Sequence, residues 1–430
     1  MQFFKKIIVL ILTWEARAVL ARYKPTIIAV TGSVGKTTTK DAIFSTLAGH
    51  LHVRKSEKSF NSDVGVPLTI LGLDNGWHDP LKWISNIARG FLTLVVRSDY
   101  PKFLVLEVGA DRPGDIKNIA VWLRPDVAVI TAIPEVPVHV EFFDSPEAVL
   151  REKRALAEHL KPGGKIIVNG DDPRLCDLKS DFRGLTTTYG MEDNNDFVGS
   201  HDEILYEERV ATGQRFRVNH AGSSVPVVLY GALGRPRIYA ALAGIAVAEV
   251  LGIDTVSSSR GLATWVPPPG RMRLVAGLRD STIIDDTYNS SPAAALAGLD
   301  TLQIVSTAGR KIAIMGDMLE LGKYSTDAHK AVGERAAVCA DMLITVGFRA
   351  RTIAESALDA GMDPEQVRSY ELGESARAGL ELEREIKEGD VVLVKGSQSI
   401  RMERTVEVLM REPQKAKDLL VRQEEEWKNR

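Results

Sequence analysis

Thr31-Gly32-Ser33-Val34-Gly35-Lys36-Thr37-Thr38 follows Thr26-Ile27-Ile28-Ala29-Val30, a short β-branched run, and opens a segment in which Ala42, Ile43 and Leu47 recur at helical spacing. The order is strand, loop, helix, the setting in which backbone N–H groups and a helix N-terminus are aimed at an anion. Gly32 and Gly35 allow close backbone approach, and Ser33, Val34 and Thr38 complete the cradle. Lys36 is placed to neutralise β- and γ-phosphates, and the Thr37 hydroxyl can hold Mg²⁺. The strict GxxxxGK[ST] pattern would put glycine at Val30, so this is the shorter TGxxGKT form. A nucleotide triphosphate is the expected ligand.

The same alternation recurs outward from this loop. Phe103-Leu104-Val105-Leu106 leads into Gly109, Val127-Ala128-Val129-Ile130 follows Pro125-Asp126, and Lys165-Ile166-Ile167-Val168 ends at Asn169-Gly170. Continuous apolar strands separated by helices predict a parallel sheet covered on both faces. Residues 191–230 carry polar clusters and short alternating runs, which suggest a small antiparallel insertion, and an alanine-rich helix from about Ile238 to Leu251 follows. Pro267-Pro268-Pro269 marks a stiff connector. Beyond it, Ser281–Ile284, Lys311–Met315, Met342–Val346 and Val391–Val394 are candidate strands of a second α/β unit, and a charged helix is expected near Gln414–Arg430. The expected fold is α/β: a central P-loop parallel-sheet ATPase domain over 26–266, then a smaller Rossmann-like α/β domain over 267–430, with an apolar helix over 1–25 ahead of both.

The 430 residues are 44% hydrophobic and 26% charged, which suits a chain with real cores and excludes disordered or collagen-like classes. With 54 basic against 57 acidic side chains the net charge is −3, so no basic field exists to hold nucleic acid, and none is expected as a partner. Cys176 and Cys339 lie far apart with no CxxC, which points to a reducing cytoplasm. The run Ile7–Leu12 after Lys5-Lys6 meets Glu15 and Arg17 well short of the about 20 apolar residues of a membrane span. Two readings of this helix stand side by side. It packs on the next domain, or it lies in a membrane interface at the inner face with Lys5, Lys6, Arg17, Arg22 and Lys24 near headgroups.

A Mg²⁺-nucleotide site needs oxygen ligands beyond the loop, and the C-terminal end of a neighbouring parallel strand is a good source. Glu107 ends Phe103–Leu106 and is so placed, with helix capping or a salt bridge as the plainer alternative. His139 follows the next strand after Ile133–Val138, and is either a ligand or a structural histidine.

Further motifs follow in order: Phe60-Asn61-Ser62-Asp63-Val64-Gly65-Val66-Pro67-Leu68-Thr69, Leu106-Glu107-Val108-Gly109-Ala110, His139-Val140-Glu141-Phe142-Phe143, Lys153, and Asn169-Gly170-Asp171-Asp172-Pro173. The last third carries Gly270-Arg271, Ile284-Asp285-Asp286-Thr287-Tyr288-Asn289, Gly316-Asp317-Met318-Leu319-Glu320-Leu321-Gly322 and Val394-Lys395-Gly396-Ser397. Together these resemble the Mur ligase family, the ATP-dependent amide-forming enzymes of peptidoglycan assembly. The resemblance implies a Mg²⁺-ATP site built from Lys36, Thr37, Glu107 and His139. It also implies a carbamylated Lys153 holding a second Mg²⁺, and Arg271 and Asp286 reaching in from the second unit to phosphate and ribose. Lys36, His139, Lys153 and Arg271 would then be catalytic. Asp285-Asp286 capping a turn, and Asp317 and Lys395 as surface charges in loops, are the plainer alternatives.

The implied chemistry is activation of a carboxylate as an acyl phosphate and attack by an amine, joining a dipeptide such as D-Ala-D-Ala to a peptidoglycan precursor peptide, UDP-MurNAc-tripeptide in the family. A monomer is expected. Other peptide or polyglutamyl substrates, or a nucleotide-binding partner protein without ligation, are the rival readings. About 25 residues precede the first strand where the family carries a UDP-gripping domain. Ala132 stands where the family has asparagine, Gly234-Arg235-Pro236-Arg237 replaces a Gly-Arg-His-Asn-like segment, and Asn289-Ser290-Ser291-Pro292 lacks a second asparagine. Adenine contacts do not carry over at these positions.

Overall fold

A computed structural model describes residues 2–57, 60–77, 79–182 and 185–428. Its strands form two sheets. The first comprises β1 (Thr26–Thr31), β2 (Val53–Lys55), β3 (Phe103–Glu107), β4 (Val127–Ile130), β5 (Lys165–Asn169), β6 (Thr186–Gly190), β7 (Phe197–Glu207), β8 (Val210–His220) and β9 (Ser223–Tyr230), in the order β2-β3-β1-β4-β5-β6-β7-β8-β9. It is parallel from β2 to β7. The apolar runs of β1, β3 and β4 are buried after the first residue of β1 and β3, as strands covered by helices on both faces must be. The polar, alternating segment forms the long antiparallel pairs β7–β8 and β8–β9, which extend the same sheet at its edge.

The second sheet holds β10 (Arg273–Ala276), β11 (Thr282–Asp286), β12 (Lys311–Gly316), β13 (Met342–Val346), β14 (Val367–Tyr370) and β15 (Val391–Lys395), ordered β10-β11-β15-β12-β13-β14 and parallel except for β10. The prolines lead to a firm junction. Leu233 N–H donates to the Met272 carbonyl at 3.1 Å and Leu274 N–H to the Gly231 carbonyl at 2.9 Å, so backbone from the two units is stitched together just past the connector. Ala211 and Leu233 of the first unit share one apolar cluster with Met272, Ile284 and Leu299 of the second.

The N-terminal helix runs from Gln2 to Tyr23. Ile8, Leu12, Ala16 and Val19, on one stripe, are buried against the helices Gly65–Leu71 and Pro80–Val95. Packing on the next domain is therefore realised on one face; the other face is open. The side chain of Lys5 lies outside the described residues, as does that of Cys176. No helix among the described residues is long and apolar enough to cross a membrane.

The charged helix expected over Gln414–Arg430 is not formed as one element. Short turns of helix at Ala416–Leu419 and Glu425–Lys428 are separated by backbone in which Arg422 takes φ 58°. Its guanidinium donates to the Thr287 carbonyl at 2.5 Å and to Glu403 Oε2 at 2.7 Å. Tertiary anchoring of Arg422 overrides local helix propensity. Asn429 and Arg430 of the expected helix lie outside the described residues.

Candidate active site

Parallel pairing sets Val30 beside Glu107 and Thr31 beside Ile130, so the ends of β1, β3 and β4 open together at one edge. The loop leaving β1 is held there by its neighbours. Ser33 N–H donates to the Ala132 carbonyl at 2.9 Å, and Thr131 Oγ1 donates to the Val34 carbonyl at 2.6 Å. Ala132 thus supports the loop through its backbone, which any side chain could do. At Gly32, φ is 144° and a Cβ would sit 1.9 Å from Thr131 Oγ1, so no side chain fits. Gly35, with φ 84°, needs glycine for its left-handed turn into the helix Lys36–Leu47. Lys36 folds back and donates to the Gly32 carbonyl at 2.9 Å, and burial holds its pKa below the usual lysine range. Its ammonium is poised over the loop it would share with a phosphate.

Glu107 is 1% exposed, and no cation pairs with it among the described residues. Its Oε2 accepts from Thr37 Oγ1 at 2.9 Å and its Oε1 from Asn61 Nδ2 at 2.9 Å. Neither capping nor a salt bridge explains it. Asn61 was not singled out in the sequence; its signal was its place in the Phe60–Thr69 motif. His139 reaches the cleft from a left-handed backbone position, φ 64°. Its Nδ1 lies 2.6 Å from Glu320 Oε2 and its Nε2 3.8 Å from Asp111 Oδ1. The contact with His139 holds the Glu320 carboxyl below its ordinary pKa. Because Glu320 belongs to the second unit, this pair ties the two units together at the cleft.

Lys153 sits on the helix Pro146–Glu158, 2% exposed and behind the cleft wall rather than in its lining. Burial, with the nearby positive charge of Lys36, pushes its pKa down to about 7. It is therefore no surface lysine of that helix, although Glu152 and Arg154 flank it. Its neighbour Glu152 accepts from the N–H groups of Gly114 at 2.8 Å and Ile116 at 2.6 Å, capping the helix Asp115–Leu123.

The second unit supplies the facing wall. The Arg271 guanidinium stacks 4.0 Å over the Tyr288 ring and its Nη2 lies 3.5 Å from Thr37 Oγ1. Asp286 Oδ2 accepts from Lys395 Nζ at 2.5 Å, and Lys395 also donates to the Asn289 carbonyl at 3.0 Å. Lys395 and Asp317 are 2% and 3% exposed, which overturns the surface-charge alternative for both. Asp285 and Asp286 divide the remaining roles. Asp285 is buried and binds Thr287 and Gly270 as a turn cap, its pKa pushed up to about 6 by burial, whereas Asp286 lines the cleft.

The cleft between these walls holds about 300 Å³. It brings together Ser33 to Thr38, Glu107, His139, Arg271 and Asp286; Gly32 lies beneath the loop. A further lining residue, Arg237, has no role in the sequence beyond a departure from a motif. Arg237 is 1% exposed, lies 4.0 Å over the Trp265 ring, and among the described residues has no hydrogen-bond partner for Nε, Nη1 or Nη2. Burial lowers its pKa to about 9. Guanidinium only donates, so a group that completes this site must bring acceptor atoms. Among the described residues no three His, Cys, Asp or Glu side chains form a ready metal cage; Thr37 and Glu107 instead place a hydroxyl and a carboxylate side by side.

Two family models match the chain: the Mur ligase middle domain over residues 85–248 and the Mur ligase, glutamate ligase domain over residues 270–398. The UDP-N-acetylmuramoyl-tripeptide–D-alanyl-D-alanine ligase of Bacillus subtilis is 30% identical over 402 residues, covering 93% of this chain and 79% of the relative. The same ligase of Escherichia coli is 27% identical, with 92% and 78% covered. Among solved structures, the MurF ligase of Thermotoga maritima in complex with ADP superposes with a TM-score of 0.77 at 27% identity, covering 95% of this chain and 84% of that one. The folylpolyglutamate synthase of Mycobacterium tuberculosis, complexed with ADP, shares the fold at a TM-score of 0.63 and 17% identity, with 92% and 94% covered.

Proposed function

Because the chain belongs to the Mur ligase family, we propose that it is an ATP-dependent carboxylate–amine ligase joining D-Ala-D-Ala to a peptidoglycan precursor peptide, UDP-MurNAc-tripeptide in its simplest form. The observation that carries this is the convergence of Lys36, Thr37, Glu107, His139 and Arg271 in one cleft between two sheets. Residues 26–266 supply the phosphate side and residues 267–430 the closing wall.

In this reading the loop Gly32–Thr38 cradles the ATP phosphates with its N–H groups, and Lys36 offsets charge developing on the transferred phosphoryl group. Arg271, already stacked and pointing at Thr37, adds a second cation from the facing unit. Mg²⁺ prefers oxygen ligands and usually takes one or two carboxylates with phosphates and water. Thr37 and Glu107 fit that demand, with His139 at the rim, and the ion would supply charge neutralisation on the phosphates. Lys153, behind the cleft wall but near enough to Lys36 to feel its charge, would hold a second ion once carbamylated. Carbon dioxide adds to a free amine, and a pKa near 7 leaves much of this one unprotonated at neutral pH. Asp286, ion-paired to Lys395, is presented to the ribose as a fixed acceptor. The enzyme works as a cytoplasmic monomer, held at the inner membrane face through its N-terminal helix.

Arg237 gives a test of the nucleotide end of the cleft. Arg237→Met removes a buried unpaired cation, so the variant should melt higher than the wild type while the KM for nucleotide rises about tenfold, the cost of one charge-assisted contact. Unchanged KM in a stabilised variant would take Arg237 out of the site. For the reaction as a whole, release of ADP and phosphate should require both a carboxylate peptide and an amine donor, with product mass naming the pair. Release with nucleotide alone, or product only from polyglutamyl donors, would overturn this assignment.

A further inference from the structure

The helices Gln2–Tyr23 and Pro80–Val95 lie side by side. Glu15 meets Gly90 so closely that a Cβ there would sit 2.2 Å from Glu15 Oε2, Arg22 donates to the Leu94 carbonyl, and the Tyr23 hydroxyl donates to the Thr93 carbonyl at 3.1 Å. The second helix starts sharply: Asp79 caps it, accepting from Leu81 N–H at 2.9 Å, and Pro80 takes the first turn. Toward the core this helix offers Trp83, Ile87 and Leu94, which rest on the same cluster as Leu12, Ala16 and Val19.

Outward, the pair is apolar where a soluble surface should be polar. Leu10 is 73% exposed and Trp14 57%, with Ile7 beside them. On the second helix Leu81 is 76% exposed, and Ile84, Leu92 and Val95 each more than half. At about 100° per residue the apolar arc from Trp83 round to Leu92 spans about half the helix circumference, and the core takes only one edge of it. Cations sit beside the apolar surface: Lys6 and Arg17 line the same groove as Leu10 and Trp14, and Lys82 and Arg89 lie about 60–80° beyond the Leu92 edge of the arc, all four exposed. The one acid on either helix, Glu15, is buried. Of the acids nearby, Asp79 is engaged as the helix cap, Asp99 lies 3.6 Å from His52 with its side chain 96% exposed, and exposed Asp63 lines the groove beside Leu10.

We propose that this two-helix face docks on a bilayer surface bearing anionic headgroups, its leucines, isoleucine and Trp14 entering the acyl boundary and its lysines and arginines meeting the headgroups. Exposed apolar area with cations beside it, on helices that expose no acid, is complementary to such a surface. A second copy of the chain on the same face would set these cations against one another. The groove beside Leu10 and Trp14 includes Asp63, two residues from Asn61, which binds Glu107. Docking therefore brings the catalytic cleft close to whatever the bilayer carries. The proposal rests on the membrane contact read from the N-terminal helix and gives it a second helix and a lipid class; ligation does not depend on it.

The test is flotation of the full chain with vesicles of phosphatidylcholine alone and of phosphatidylcholine with phosphatidylglycerol. Binding should appear with the anionic vesicles and weaken as salt rises. Ile84→Asp with Leu92→Asp should lower the partition at least about tenfold, as loss of two buried apolar side chains requires. Lys82→Glu with Arg89→Glu should do the same without touching the apolar arc. Both variants should keep the wild-type circular dichroism and wild-type ligation of soluble substrates, whereas Lys36→Ala should bind vesicles normally. No binding to anionic vesicles, equal binding to both compositions, or full binding by either double variant overturns the proposal. So does a dimer in sedimentation that Ile84→Asp with Leu92→Asp abolishes, since the face would then belong to a second copy.

Discussion

Lys36→Ala should lower kcat by about a thousandfold or more while leaving the chain folded, because one preorganised cation is lost from the charge that develops on the transferred phosphoryl group. The wild-type ammonium is half-buried in the cleft wall, and desolvation holds its pKa down. Its removal relieves a desolvation cost, so the melting temperature should hold or rise. Lys36→Arg should not rescue turnover, since a planar guanidinium cannot fold back onto the Gly32 carbonyl in the space a lysine uses. Thermal melts alongside kcat at saturating ATP separate the two effects. Undiminished ligation by Lys36→Ala would remove Lys36 from the mechanism, and an unfolded variant would show a structural role instead.

Lys153→Met should abolish turnover to a similar degree and stabilise the fold at neutral pH in buffer stripped of carbon dioxide. The sign follows from the titration. The folded pKa is about 7 against an ordinary 10.5. Between those values the unfolded chain binds a proton that the folded chain refuses, so stability falls as pH falls from 10.5 to about 7, and the full penalty persists below. A methionine removes that slope. Activity carries the same signature: wild-type turnover in stripped buffer should be low and return with bicarbonate, and the response should fade below about pH 7 as the amine takes up its proton. Turnover indifferent to carbon dioxide, or an active Lys153→Met, would refute carbamylation.

The phosphate loop is legible in the sequence because its requirements are local: two glycines where backbone must approach, a lysine and a threonine in register with a helix start. Glu107 could be placed at a strand end for the same reason, since a parallel sheet collects those ends at one edge, whereas His139, in the loop after β4, could only be named as a candidate. What pairs across the cleft is not local. That Glu320 meets His139, or that Lys395 is buried against Asp286, depends on how the second sheet closes on the first. Charged residues in glycine-bounded loops look like surface until that closure is known. Arg237 was visible only as a departure from a motif, and its burial over Trp265 needed the fold. The helix Pro80–Val95 went unread because so much of its apolar arc faces outward. The terminal helix is broken into two short turns because the anchoring of Arg422 overrides the local signal of its charged helix formers.

The central claim is that the cleft transfers the γ-phosphoryl group of ATP to a carboxylate before the amine attacks. Ligation run with the peptide carboxylate labelled with heavy oxygen tests it most directly, by mass analysis of the released phosphate. Transfer to the carboxylate yields ADP and phosphate carrying one labelled oxygen per amide formed. Unlabelled phosphate, or AMP with pyrophosphate in place of ADP, would contradict it.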